Sequence, residues 1–173
     1  LDVNGGSLNV TGSISAQRLV LSPGASIIGG TGNIAVQEIE MAPDIPLVVP
    51  TGGLTVSGGK IPVAAGTTVV SGGTVTTPGN FNKQSAGELD VESNLVVGGT
   101  AVVDEGLLSV NGQLSSQEVV VDEGATLGGN GTIFVTQKTM TLAGVLSPGN
   151  SPGVISIQAN PVMTSTGTIL IEV

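Results

Sequence analysis

Apolar residues recur along this chain in short bursts, alternating with polar ones and cut apart by glycine, asparagine and proline. The pattern is clearest over residues 124–157, GATLGGNGTIFVTQKTMTLAGVLSPGNSPGVISI, where segments at 132–135, 139–142 and 154–157 read as strands. The residues between them supply positive or fixed φ at little cost, which makes them turns. Further strands are expected at 8–10, 19–21, 33–36, 54–56, 61–63, 68–70, 74–76, 89–91, 95–97, 101–103 and 168–173. Strands this short cannot close a two-sheet core alone, so each small bent unit needs a copy of itself to stack on.

The copies are present. Residues 8–25 (LNVTGSISAQRLVLSPGA) align without a gap to 108–125 (LSVNGQLSSQEVVVDEGA), matching Leu8 with Leu108, Gly12 with Gly112, Gln17 with Gln117 and Val20 with Val120. A shorter period is nested inside, since Val102-Val103-Asp104-Glu105-Gly106 recurs as Val120-Val121-Asp122-Glu123-Gly124. Later copies open at Gly144 and Gly167, giving rungs of about 18–23 residues. A period drifting near twenty is that of a solenoid, here all-β.

Two stretches, Leu127-Gly128-Gly129-Asn130-Gly131-Thr132-Ile133 and the G-x-L-x-P-G-N-S-P-G run from Gly144 to Gly153, resemble the passenger-associated repeat of bacterial autotransporters and related surface proteins. The likeness is strongest over residues 124–157. It implies a right-handed parallel β-helix displayed outside the cell, at the bacterial surface, acting as a structural or adhesive element. No barrel domain is present in the sequence, and the same repeat occurs in secreted proteins without one.

An antiparallel β-sandwich is the competing fold, because Asn4-Gly5, Asn111-Gly112 and Asn130-Gly131 are each strong two-residue hairpin signals. The nested period argues against it, as does the scarcity of aromatic residues: there is no Trp or Tyr and only two Phe, Phe81 and Phe134. Residues 1–173 are read as one solenoid segment of about eight or nine rungs, a rod roughly 40 Å long at the usual strand spacing. Two places break the rhythm. Residues 39–50 carry Pro43, Pro46 and Pro50, each of which removes a ladder donor, so a bulged or edge rung is expected there. Residues 78–87 (PGNFNKQSAG) are polar and read as the one loop long enough to project, which makes Asn80, Phe81, Asn82 and Lys83 the candidate binding residues.

Charge narrows the partners. The net charge of −9 comes mostly from a lack of cations, with only Arg18, Lys60, Lys83 and Lys138 positive, so an electrostatic grip on nucleic acid or anionic lipid is disfavoured. No apolar run approaches the length of a membrane span and no signal peptide precedes Leu1, so no membrane insertion of this segment is expected and the chain reads as processed or excised from something longer. The absence of cysteine suits export in an unfolded state and equally suits a cytosolic chain. The expected partners are a host surface, glycan or matrix, or further copies of the chain meeting through uncapped strands at its two ends, which would build an extracellular filament.

Candidate chemistry is sparse. Asp104-Glu105 and Asp122-Glu123 recur one rung apart, which would bring like carboxylates to about 4.8 Å. Calcium would relieve that repulsion, and a solvated acidic turn screened by salt is the plainer reading. The glycine-rich turns 29–32 and 128–131 lack the helix and GK[ST] of a phosphate loop. Asn111, Asn130 and Asn150 are expected to bond local backbone or to stack as a ladder. A polysaccharide-acting enzyme needs acids accompanied by cations, histidine or aromatic faces. Glu38 with Glu40, or Asp90 with Glu92, could share a strand face, but no partner groups accompany them in the sequence. The expectation is therefore a non-enzyme with no cofactor.

Overall fold

The computed structural model describes residues 1–63, 66–149 and 153–171, with Ile28 described in its backbone alone. Among these residues there is no helix, so none is long and apolar enough to cross a membrane. Every strand pairing is parallel. That rules out the antiparallel sandwich, whose hairpins would pair neighbouring strands in opposite directions. The chain is a parallel β-solenoid of about eight turns.

One turn shows the path. Glu88–Val91 runs along one face, Asn94–Val97 along a second and Thr100–Val103 along a third. The next turn lays Leu107–Val110 over the first of these and the longer Gln113–Val121 over the other two. Strands such as Gln113–Val121 and Ser13–Leu21 continue around the corner between the second and third faces, joining them into an eleven-stranded sheet; the first face is a separate nine-stranded sheet. Each turn advances 18 residues at its shortest, as from Val102 to Val120, and 24 at its longest, from Thr132 to Ser156.

Alternation puts every second side chain inside, where like stacks on like. On the second face Ile34, Leu54, Val75, Leu95, Leu114 and Ile133 form one column in register, each at most 1% exposed. Burying an aliphatic side chain of this size is worth about 2 kcal/mol, so the column is a principal source of stability. The third face solves a harder packing problem. There Phe81 lies between Gly59, which brings no side chain to the slot, and Ala101, which brings one methyl. The ring fits because its neighbours are small.

The asparagine–glycine pairs close corners of the coil instead of hairpins. A Cβ on Gly112 would collide with the carbonyl oxygen of Ser93 in the turn below, and one on Gly131 with that of Gly112. Glycine is required here by the close approach of neighbouring turns, through which Gln113 N–H reaches Ser93 O at 3.0 Å and Thr132 N–H reaches Gly112 O at 3.0 Å.

The hundred-residue sequence repeat spans five turns on the eleven-stranded sheet, where Ile14 shares a column with Leu114. On the nine-stranded sheet Leu47–Val49 pairs with Thr67–Gly72 at Leu47↔Val70, a register that puts Leu8 in the column of Val110, two residues from its aligned partner Leu108. The slip lies in the proline-rich rung. That rung does not leave the sheet as an edge excursion: Leu47–Val49 is paired on both sides, and Pro43, Pro46 and Pro50 fall in the connections flanking it, where no ladder donor is needed.

The segment at 78–87 does not project. Phe81–Lys83 is a strand of the third face, paired with residues 101–103, and both Phe81 and Lys83 are fully buried. Its polar composition reflects its corners and one interior lysine. The strand expected at 168–173 is Thr168–Ile169, and residues 172–173 lie outside the described part.

Candidate functional site

Of the four residues singled out for binding, only Asn80 is exposed, and its Oδ1 accepts the backbone N–H of Thr100 at 3.0 Å, tying one corner to the next turn. Asn82 is half-buried, with Oδ1 enclosed and unpartnered among the described residues. Lys83 occupies a column otherwise filled by Ile61, Val103 and Val121. Its Nζ donates to the carbonyl oxygens of Ser85 at 2.6 Å and Glu105 at 3.1 Å, so the stem packs as a hydrophobe and the head satisfies two corner carbonyls. Burial lowers its pKa, and the nearby Glu105 charge partly offsets that. Phe81 and Lys83 thus hold the coil together from its interior, and Asn80 ties its corner to the next turn.

The acidic pair is partly assembled. Asp104 and Asp122 are half-buried neighbours on successive turns, whereas Glu105 and Glu123 are exposed. Burial raises the pKa of Asp122, and the hydrogen bond and charge of Asp104 push it the same way. Burial would raise Asp104 too, but hydrogen bonds from Gln84, Asn82 and Asp122, with the charge of Lys60, outweigh it and hold Asp104 below the ordinary carboxylate value. The Gln84 Nε2 to Asp104 Oδ2 distance is 3.2 Å. Among the described residues no group of three or more His, Cys, Asp or Glu side chains is placed to hold a metal ion.

Elsewhere polar side chains stack as ladders. Asn111 donates to Asp90 Oδ1 at 2.7 Å and accepts from the backbone N–H of Asn130 at 3.0 Å; Gln137 donates to Gln117 at 3.1 Å. Asn150 lies outside the described residues. Glu40 does have a partner, in Arg18 at 2.9 Å, and the two line a groove of about 370 Å³ with Glu38 and Lys60. The sequence hides this pair because its members are 22 residues apart and meet only through stacking. Asp90, Ser109, Asn111 and Asn130 line a smaller polar dent of about 180 Å³ beside Gly128 and Gly129.

A third lateral groove, about 320 Å³, differs in kind. It is built by a bulge in Thr132–Leu142. Between the pairs Ser116↔Val135 and Glu118↔Thr139, Gln117 alone faces Thr136, Gln137 and Lys138; on the other side Ala159 alone faces residues 135–138. The surplus residues stand out from the corner, with Lys138 in the left-handed region at φ 59°. Beside them Phe134 points outward, 39% exposed, and Gln158 and Asn160 of Ser156–Met163 complete the wall. Among the described residues the one ion pair is Arg18–Glu40, so the Lys138 ammonium is uncompensated.

Of the two aromatic residues, Phe81, which the sequence offered for binding, is buried, and Phe134 is the exposed one. The signal that finds Phe134 is the corner length: Ser116-Gln117-Glu118 against Val135-Thr136-Gln137-Lys138-Thr139 in the next turn. The chain matches no family model, no curated protein and no solved structure.

Proposed function

We propose that this chain is a non-enzymatic element of a bacterial cell surface, a stiff extracellular scaffold of autotransporter-passenger type whose lateral faces carry recognition. The observation that carries the reading is the unbroken interior column from Ile34 to Ile133, six turns deep without a polar member. A coil stacked in this way resists bending, because tilting one turn on another opens an aliphatic ladder and the backbone hydrogen bonds along it. The passenger-type G-x-L-x-P-G-N-S-P-G run supports the surface location. The grooves beside Arg18 and Phe134 are open lateral features suited to adhesion; the first brings Arg18, Glu38, Glu40 and Lys60 together on the surface, and the second carries Lys138 with no acid.

Antibodies raised against the purified chain test the location. Labelling of intact source cells, lost on brief external protease treatment, is the expected result. Signal that appears only after lysis overturns the reading.

A further inference from the structure

We propose that the groove beside Phe134 binds a glycan ending in a single carboxylate-bearing sugar. This deepens the reading of the chain as a surface scaffold and rests on it.

A pyranose ring presents apolar C–H faces and a polar rim, so a site for it needs a flat apolar platform ringed by groups that both donate and accept hydrogen bonds. Phe134 is the platform, more than a third exposed, with Ile157 and Ala159 beside it in the groove. The amides of Gln158 and Asn160 supply the rim and can each donate and accept, while the Thr136 hydroxyl, which donates to Ser116 O at 3.2 Å, is left to accept. Their spacing is set by stacked backbone: Phe134 pairs directly with Gln158, and Asn160 with Thr139. At about 320 Å³ the groove is at the low end for small-ligand sites and suits one or two sugar rings.

Charge selects the carboxylate. Lys138 is the one cation on the groove, and no acid lines it. A chain of net charge −9 repels a polyanion, whereas a single carboxylate can meet a single ammonium within the screening length of about 8 Å at physiological salt. The left-handed backbone at Lys138 is a conformation that a lysine adopts only where its surroundings hold it, as strained residues at binding sites are held. A peptide strand is the poorer occupant. It would add to a sheet through free backbone groups, and residues 132–134 are already paired with 113–115 on one side and 156–158 on the other.

The test is an NMR titration of the ¹⁵N-labelled 173-residue chain with 3′-sialyllactose, and with lactose as its neutral counterpart. The expected result is shift changes confined to residues 134–138 and 157–160, with lactose weaker by about tenfold. Phe134→Ala and Lys138→Asn should each weaken sialyllactose by a similar factor; asparagine keeps the left-handed backbone while removing the charge. Unchanged melting of both variants would show that the fold is intact. Equal affinity for the two sugars overturns the assignment of Lys138. Binding that survives both substitutions, or no shift in the groove with either sugar, overturns the site. Such a failure leaves the scaffold reading intact if antibodies label whole cells, whereas failure of that labelling sinks the scaffold reading whatever the titration gives.

Discussion

Two glycines at one corner, on adjacent turns, separate the effect of stacking from that of local conformation. Gly79 and Gly98 both lie between the second and third faces, and neither has a positive φ. A Cβ on Gly79 meets nothing within 4 Å, whereas one on Gly98 collides with the carbonyl oxygen of Pro78 in the turn below. Gly98 also donates its N–H to Thr77 O at 2.8 Å, so the clash cannot be relieved by lifting the corner without stretching that bond. Gly79→Ala should therefore be neutral or stabilising by up to about 1 kcal/mol, through the reduced freedom of the unfolded chain. Gly98→Ala should cost about 2–3 kcal/mol, the upper part of the usual range for forced overpacking. For a chain of this size that difference, about 2–4 kcal/mol, puts the two melting temperatures roughly 4–16 °C apart. Thermal unfolding followed by far-ultraviolet circular dichroism measures it directly. If the variants melt together, or Gly79→Ala is the worse, turns do not rest on one another at this corner and the stacking argument fails.

Three further outcomes follow from buried charge and from the groove. Lys83→Ala should destabilise by about 3 kcal/mol or more in urea titrations, since it leaves a cavity and orphans the carbonyls of Ser85 and Glu105. Lys60→Ala, at an exposed position, should stay within about 0.5 kcal/mol; equal losses would return residues 81–83 to the surface. Asp122 has a folded pKa raised above its unfolded value, so its contribution favours folding below the ordinary Asp range and is lost as pH rises through the raised value. Asp122→Asn should thus melt higher than the parent at pH 7, with the advantage shrinking as pH falls through the ordinary Asp range; a pH-independent difference would show that the Asp104–Asp122 contact does not couple to titration. Sialyllactose should shift the amides of residues 134–138 and 157–160 in NMR titration, and Phe134→Ala or Lys138→Asn should each weaken that binding about tenfold.

Parallel stacking was legible in the sequence because the repeat is long and gapless: columns such as Ile14 to Leu114 follow from a period that five turns preserve. The Asn-Gly pairs were ambiguous because one dipeptide serves two needs, a positive-φ hairpin or a corner with no room for a Cβ, and only the neighbouring turn decides. Phe81 and Lys83 were misread for a related reason. Composition suggested a loop, and the alternation that sends residues 81 and 83 inward shows only once they are set against Ala101 and Val103. The meeting of Asp104 and Asp122 could be foreseen from their one-rung spacing; the amides of Gln84 and Asn82 that temper it could not, since they come from a different rung. The groove at Phe134 depends on comparing three successive corners of unequal length, a relation invisible to a reading of any one segment.

The unequal corners also say where this chain can grow. Turns of 18 to 24 residues stack without interrupting either sheet, so added length is absorbed at the bends while the strands beside it keep their pairing. The bend at residues 136–138 is longer than those on either side of it, and a short foreign epitope spliced there should be carried on the flank of the rod with its register undisturbed. New specificities can then accumulate one bend at a time, without renegotiating the interior.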